Sequence, residues 1–442
     1  MMSRHSLFLL VTSIFFFNYL QAQFEVSAEI RPRLEINNGF GYVPSKSSEM
    51  TAYVGQRSRL NLRYESEKFG LYFSLQDARV WGDEDLANST AAFANTKSTG
   101  FHEAWLVYKP TSYSRIKIGR QEFVYDDQRL LANRNWTLHG VAYDAVLFGF
   151  TKKDWTFDLA FSYNNDASKG QAAGAGINHF EVDPIARRLR TLNFIYVKKQ
   201  LSKDWYVSAL GMMTGYQKDK TTSTIYLMGT YGLHSHYKKN RTEARANLYA
   251  QSGKSQKGKK VQAWMATAEA AYQTGVWRFD AGMDVLSGHN FKQTDADYTQ
   301  TEHNFDLFYG IRYLRYGFMN QYVLPSGTAE GGLTDIHPGI QYSWNKKNKI
   351  SADYHLFYLN NPVIDPFSEN AFVEGSLGSE LDLVWHHQFN KELSLNAGFC
   401  YYFTNDNFAR VKKIQPGEIG TPYFGWLMIT FKPVLFRSSD LK

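Results

Sequence analysis

Apolar and polar residues alternate with a period of two along almost the whole chain, and this pattern limits the possible folds more than any other feature. In residues 155–163, Trp, Phe and Leu side chains share one face, and small or polar ones share the other. Residues 264–272 and 393–402 show the same alternation. Because successive side chains of a strand point to opposite faces of a sheet, the sequence predicts an all-β protein.

Nineteen segments carry the pattern: 24–35, 52–64, 69–80, 101–109, 114–122, 141–150, 154–163, 190–198, 204–215, 223–234, 240–252, 261–273, 276–287, 307–316, 333–344, 348–358, 377–388, 392–403 and 422–431. The alternation is weakest in 307–316. Single-chain bacterial membrane barrels usually have an even number of strands. We therefore predict eighteen strands, with 307–316 outside the set.

Aromatic residues mark both ends of the apolar face in two segments, as Trp155 and Tyr163 do in the first. Eight residues at about 3.3 Å each cover about 26 Å along a strand, or about 20 Å along the axis of a tilted barrel. That height approaches the apolar band of an outer-membrane barrel, about 25 Å, with its aromatic girdles. The mean hydropathy of -0.42 argues against a bundle of membrane helices, but barrel strands are only half apolar. The predicted fold is a transmembrane antiparallel β-barrel.

Residues 1–22 have the features of a cleaved secretory signal peptide. Arg4 and His5 precede an apolar run from Leu7 to Leu20, and Ala22 provides the small residue before the expected cut. A transmembrane anchor is the alternative, but the run is short for one. The strand pattern starts directly after residue 22, so we expect no plug domain, a barrel over 23–433 and a C-terminal tail over 434–442. Export together with a barrel places the protein in the outer membrane of a Gram-negative bacterium.

The polar face of several segments carries charges. Arg57, Arg59 and Arg63 alternate with apolar or small residues on one strand, and Asp284 lies on the polar face of another. Arg or Lys at the lipid midplane would cost about 2–4 kcal/mol each, so these residues are expected to line a lumen. Two interpretations remain open: paired charges that crosslink the wall, or a selective pore in which Arg forks bind anions.

Residues 69–80 break this parity, because Asp77 and Arg79 share the face of Leu75 and Phe73. A one-residue β-bulge near Gln76 would turn both charges inward. We therefore expect Asp77 and Arg79 in the lumen.

Other classes of function have little support. Cys400 is the sole cysteine, which excludes disulfides and the usual zinc-thiolate and iron–sulfur sites. Asp126 and Asp127 are adjacent on a loop and seldom converge as a catalytic pair. His234 and His236 share a strand face, and His386 with His387 is a second pair, yet neither has an evident third metal ligand. We predict no catalytic residue, metal or cofactor, and no nucleic-acid partner.

Several motifs carry a family resemblance: Gly119-Arg120-Gln121-Glu122, Arg129-Leu130-Leu131, Arg134-Asn135-Trp136 and Tyr143-Asp144, followed by Asp284-x-x-Ser287-Gly288, Tyr309-Gly310 and Tyr316-Gly317-Phe318-Met319-Asn320. Over roughly 24–433 the chain resembles the alginate export family of outer-membrane barrels. The resemblance implies an 18-stranded monomeric barrel whose electropositive lumen passes an anionic polysaccharide. By position, Arg120, Gln121, Arg129 and Arg134 match the family's cluster. Asn320 departs from the pattern, where the family often has an acid, and so does the extension beyond Phe431.

The sequence thus predicts a passive outer-membrane channel for anionic solutes, with an alginate-like uronate polysaccharide or oligosaccharide as the partner besides membrane lipid. The alternative is a general or sugar-specific diffusion porin without anion selectivity, and a barrel enzyme is a third class. The residues expected to contact the solute or to hold its arginines in the lumen are Arg57, Arg59, Arg63, Asp77, Arg79, Glu103, Arg120, Gln121, Arg129, Arg134 and Asp284.

Overall fold

Eighteen long strands form the protein in a computed structural model that describes residues 23–82, 99–164, 189–219, 222–308 and 310–441. The predicted signal peptide and most of the long connections at 82–99 and 164–189 lie outside these residues. In chain order the strands are β1 Gln23–Asn38, β2 Thr51–Glu65, β3 Phe69–Val80, β4 Thr99–Thr111, β5 Ser114–Gln121, β6 Tyr143–Lys152, β7 Trp155–Tyr163, β8 Leu189–Ser202, β9 Trp205–Gln217, β10 Ile225–Lys239, β11 Thr242–Lys254, β12 Lys260–Thr274, β13 Trp277–Leu286, β14 Leu333–Asn345, β15 Asn348–Tyr358, β16 Ser376–Gln388, β17 Leu393–Phe403 and β18 Tyr423–Phe431. The predicted number is confirmed, and the described residues of 307–316 form no strand.

Each strand pairs antiparallel with the next, and β18 returns to pair with β1, from Ile30 opposite Phe431 to Asn38 opposite Tyr423. Closure leaves no free sheet edge, which a membrane requires. Beyond Pro433, the short strand Val434–Arg437 continues along β1, so part of the predicted tail belongs to the wall.

Short elements complete the described chain. Helix α1 spans Ala296–Thr299 and helix α2 spans Asp406–Val411. The short strands are Thr301–Glu302, Val363–Ile364 and Phe372–Val373, and the 3₁₀ turns are Ser326–Thr328 and Ser438–Leu441. Within the described residues, no helix has the length and apolar character to cross a membrane. No globular plug domain is present among them either.

The alternation separates two environments, as β7 shows. Phe157 and Leu159 are 38% and 40% exposed, whereas Asp158 and Ala160, which alternate with them, are buried. The exposed apolar side chains cover the outside of the ring, and the polar ones point inward. This arrangement keeps charges out of hydrocarbon, where each would cost about 2–4 kcal/mol at the midplane.

The two ends of the barrel differ in their connections. One end has short turns at 66–68, 112–113, 153–154, 203–204 and 240–241, and at 275–276, 346–347 and 389–392. The opposite end carries the long connections. Two of these fold back into the ring and are named here: the first inner segment (residues 122–142) and the second inner segment (residues 303–308 and 310–332).

The inner segments bring an apolar core into the lumen. Leu130, Leu131, Phe318 and Tyr322 are all buried there. The Trp136 ring lies 4.9 Å from that of Tyr313, which joins the two segments. The lumen of the barrel is therefore narrowed by the barrel's own loops.

Candidate lumen constriction

Arg129 connects the first inner segment to the barrel wall. Its guanidinium lies 2.8 Å from Asp127 Oδ2 and also contacts the carboxylates of Glu269 on β12 and Asp284 on β13. The hydroxyl of Tyr316, on the second inner segment, accepts a hydrogen bond from it at 3.3 Å. Burial alone would lower the pKa of Arg129, but the Asp284 carboxylate and its neighbours hold that pKa well above its usual value. Asp284 thus holds an arginine, as predicted.

The two adjacent aspartates of the first inner segment have separate surroundings. Burial would raise the pKa of Asp127, but Arg129 and Arg315 outweigh it and lower that pKa to about 2. Asp126 instead accepts hydrogen bonds from Tyr196 and Ser208, each at 2.8 Å, and burial raises its pKa. Both carboxylates anchor the segment to the wall.

Wall arginines hold the backbone of the first inner segment. Arg57 pairs with Glu29 at 2.5 Å and donates to the Asn135 carbonyl at 3.1 Å. Arg59 donates to Gln76 at 2.8 Å and to the His139 carbonyl at 3.4 Å. These guanidiniums point inward, as predicted, and satisfy loop carbonyls.

Arg134 joins the inner segments to each other. It donates to the Phe308 carbonyl at 2.7 Å and to the Gly310 carbonyl at 3.1 Å. Its guanidinium therefore crosslinks the two inner segments.

Gln121 and Glu103 fix the start of the first inner segment. Gln121 is buried and donates to the Ala145 carbonyl at 3.0 Å. Glu103 accepts from the Trp105 indole at 3.0 Å and from the Glu122 amide at 3.2 Å. We expected Glu103 to hold an arginine, but its hydrogen bonds go to these two groups.

The prediction that a bulge turns Asp77 and Arg79 inward is wrong. The irregularity lies between Ser74 and Leu75 in the pairing of β3 with β4, while β3 stays in continuous register with β2. The extra residue therefore belongs to β4, and β3 keeps its parity. Arg79 is about half exposed on the outer face and donates two hydrogen bonds to the Asp77 carboxylate, at 2.7 and 3.0 Å. Both lie at the long-loop end of β3, away from the midplane.

Arg120 also lies on the outer face, contrary to its predicted place in the lumen. It shares the parity of Ile118, which is 49% exposed. Its guanidinium is 3.7 Å from the exposed carboxylate of Asp144 on β6. Both residues lie where β5 ends and β6 begins, at the rim of the barrel with the long connections, so neither meets the apolar band.

Arg63 keeps the inward parity of Arg57 and Arg59 but lies near the short turns. Its side chain is 58% exposed and 3.5 Å from Glu65. It is the least restrained of the predicted arginines on the inward face of β2.

A cavity of about 230 Å³ lies beside the second inner segment. Three arginines line it, namely Arg245 on β11, Arg278 on β13 and Arg315 on the segment. Each keeps part of its side chain exposed, from 18% in Arg315 to 29% in Arg245. The other charged or titratable groups of its lining are Glu243, Glu269, Asp280, Tyr313, His337, Asp353, His355 and Asp382.

Shared carboxylates position these three arginines. Glu269 Oε1 accepts from Arg315 at 2.7 Å, and Glu243 Oε2 accepts from Arg278 at 3.2 Å. Arg245 contacts both carboxylates. Arg315 also donates to the Asp127 carbonyl at 3.0 Å. Each guanidinium therefore has fixed partners while part of its side chain stays exposed.

None of these three arginines was predicted from the sequence to contact the solute. Arg315 lies in 307–316, which has the composition of a weak strand but no strand partner in the described chain. The one available signal in the sequence was the weak alternation of apolar and polar residues in 307–316.

The histidine pair on β10 is explained by wall contacts. His234 is buried and lies 2.8 Å from Asn247 Oδ1, and His236 lies 2.9 Å from Glu243. Neither histidine belongs to a group of three close ligand side chains among the described residues.

Lys412, which follows α2, ties a third connection to the second inner segment. Its Nζ donates to the carbonyls of Gln321 and, at 3.0 Å, Gly327. Burial lowers the pKa of Lys412 to about 7. A neutral amine still has two donors, enough for both carbonyls.

Stability should therefore depend on pH through Lys412. Between about pH 7 and the ordinary lysine pKa of 10.5, the unfolded chain binds the extra proton, so stability rises with pH in this window and falls as pH drops toward 7. We expect the thermal unfolding midpoint to show this slope in the wild type and to lose it in Lys412→Met. Equal slopes in the two proteins would rule out the assignment to Lys412.

A closed barrel with an apolar exterior and a charged, narrowed lumen defines an outer-membrane channel. The model of the alginate export family matches residues 22–412, and the chain belongs to this family. It is a protein of the outer membrane of Gram-negative bacteria. In such barrels the short turns face the periplasm and the longer loops face the cell exterior, so the inner segments descend from the outside.

Solved porin structures share the fold. Pseudomonas aeruginosa OccK9 (OpdG) is 11% identical, with a TM-score of 0.61 over 93% of this chain and 98% of that one. P. aeruginosa OpdO is 13% identical, with a TM-score of 0.60 over 93% and 98%. Acinetobacter baumannii OccAB1 is 11% identical, with a TM-score of 0.59 over 93% and 97%. No curated protein matches the sequence significantly.

Proposed function

We propose that this channel passively passes anionic solutes, in particular uronate-bearing oligosaccharides or polysaccharides, without a catalytic step. The observation that carries the proposal is the set of partly exposed arginines, Arg245, Arg278 and Arg315, in the cavity beside the second inner segment. A guanidinium presents a planar fork of donors that matches a carboxylate. Membership of the alginate export family supports a uronate as the solute.

The proposed contact residues differ from most of those chosen from sequence. Arg57 and Arg129 are almost fully buried, and Arg134 already donates to two carbonyls. Moving them would leave buried partners unpaired, at a cost of several kcal/mol. We therefore assign them to the shape of the lumen and assign solute contact to the cavity arginines and to Arg63 near the periplasmic mouth.

A sugar-specific porin without anion selectivity is the second candidate. Five carboxylates line the same cavity as the three arginines. A lining of both signs also suits neutral sugars, whose hydroxyls can donate to carboxylates and accept from arginines.

A double variant in which alanine replaces both Arg278 and Arg315 tests the choice between these candidates. The loss of two positive charges should lower the anion-over-cation permeability ratio by roughly 3- to 10-fold, because charged groups in a narrow pore set the local ion concentration. The measurement is the reversal potential in a salt gradient across a planar bilayer.

Arg79→Ala is the matched control, since it removes an arginine from the outer face and should leave the ratio unchanged. A double variant with the wild-type ratio, together with neutral-sugar uptake equal to that of a uronate in swelling liposomes, would favour the second candidate.

A further inference from the structure

Two carboxylates and a thiol meet in the wall behind the second inner segment. Glu380 and Asp382 share the inward face of β16, and Cys400 on β17 is the direct strand partner of Asp382. All three are buried, with at most 1% of any residue exposed. One ligand atom from each lies within 4.8 Å of those of the other two.

Each carboxylate accepts a backbone N–H hydrogen bond through one of its oxygens. Glu380 Oε1 accepts from the Met319 amide at 2.6 Å, and Asp382 Oδ2 accepts from the Phe318 amide at 3.0 Å. Glu380 Oε2 and Asp382 Oδ1 are buried and have no hydrogen-bond partner among the described residues. The two carboxylates also lie within hydrogen-bonding reach of each other, and the Cys400 thiol lies within reach of Asp382, so a proton or a bound cation has to hold the group together.

Of the described chain, only the His355 ring makes an ion-pair contact with this group, at 3.8 Å from Asp382 Oδ2. Within the described chain, no lysine or arginine nitrogen lies within 4.0 Å of either carboxylate. Gly317 has a φ of +78°, and a Cβ there would lie 2.4 Å from Glu380 Oε2. The Gly317 backbone thus lies directly against the Glu380 carboxylate and leaves no room there for a side chain.

His355 on β15 is oriented toward the same place. Its Nδ1 lies 2.8 Å from Asp335 Oδ2, and its Nε2 lies 3.8 Å from Asp382 Oδ2. A carboxylate that holds one ring nitrogen while the other faces a site is the usual support of a metal-binding histidine.

A second group in this wall shows the contrast. Glu269, Asp284 and His337 are equally close to one another, but the Arg129 guanidinium already contacts both carboxylates. That group is paired with an arginine, whereas no lysine or arginine of the described chain reaches the group at Glu380.

We propose that Glu380, Asp382 and Cys400, with His355, bind a divalent transition-metal ion of the Zn²⁺ type. Sulfur, imidazole and carboxylate together are ligands that suit Zn²⁺, and Mg²⁺ or Ca²⁺ would prefer oxygen alone. A single cysteine excludes the usual all-thiolate site but is compatible with this mixed one. The ion would neutralise both carboxylates and, through the amides of Phe318 and Met319, fix the second inner segment.

Cobalt loading of the folded, detergent-solubilised protein tests the proposal. Wild type should take up about one Co²⁺ per chain and show a thiolate-to-cobalt charge-transfer band in the near ultraviolet. Cys400→Ser should lose the band, and Asp382→Asn should weaken binding by at least about 10-fold. The Glu269→Gln variant, which changes the contrasting group, should keep both the charge-transfer band and the wild-type affinity for Co²⁺.

The result for the wild type decides the matter even if a variant does not fold, which heat-modifiable gel mobility would reveal. Wild type that binds neither Co²⁺ nor Zn²⁺ at micromolar excess would overturn the proposal and indicate a proton shared by the two carboxylates. A cobalt spectrum that is the same in wild type and folded Cys400→Ser would also overturn it.

Discussion

An Arg129→Met variant is expected to destabilise the inner segments by about 3–5 kcal/mol, the usual cost of removing one partner from a buried ion pair. Arg129 is 2% exposed and contacts Asp127, Glu269 and Asp284. Methionine fills similar space without charge, so three carboxylates would repel one another where water is largely excluded. The first inner segment should leave the lumen, raising single-channel conductance and lowering the unfolding midpoint.

Arg63→Met is the matched control, because it removes an inward arginine that is more than half exposed. Its unfolding midpoint and its open-channel size should match those of wild type. An Arg129→Met channel with wild-type conductance and stability would show that the three carboxylates do not depend on this guanidinium.

A Gly310→Ala variant should separate the two inner segments. A Cβ at Gly310 would lie 1.8 Å from the Arg129 carbonyl oxygen, which belongs to backbone and cannot turn aside. Overpacking of this kind typically costs about 1–3 kcal/mol. The displacement would also break the hydrogen bond from Ile311 to the Gln128 carbonyl at 2.9 Å and that from Arg134 to Gly310. We expect a less stable barrel with larger and noisier conductance.

Gly100→Ala serves as the control for this change. Gly100 also lies at the extracellular end, but a Cβ there meets nothing within 4 Å. Conductance traces of Gly100→Ala should match those of wild type. Equal behaviour of the two variants would mean that the inner segments are not packed as closely as Gly310 indicates.

The strands were predictable because each obeys a local rule. Lipid outside and water or protein inside impose a period of two that a single segment such as 155–163 displays by itself. The irregular inner segments obey no such rule. Leu130, Leu131 and Leu138 were an available signal, since three buried leucines are unexpected in a loop that stays in water.

The candidate site was predictable only in part, because parity gives the face of a residue and not its partner. Arg57 and Arg59 were placed inward correctly, yet their contacts come from loop carbonyls about 80 positions away in sequence. The prediction that Asp77 and Arg79 point inward was wrong because a bulge shifts the pairing of two strands, and the sequence does not show which strand holds the extra residue. The predicted place of Arg120 in the lumen was wrong because a charged residue near a strand end is compatible with either face of the sheet.

The most direct measurement compares two neighbouring cysteine substitutions on β13. Arg278 lines the cavity, and Phe279 is 46% exposed on the outer face. With a charged, water-soluble thiol reagent added to channels in a bilayer, current should fall in Arg278→Cys and stay constant in Phe279→Cys. Block of the Phe279→Cys channel with an unaffected Arg278→Cys channel would contradict an aqueous passage lined by the charged face.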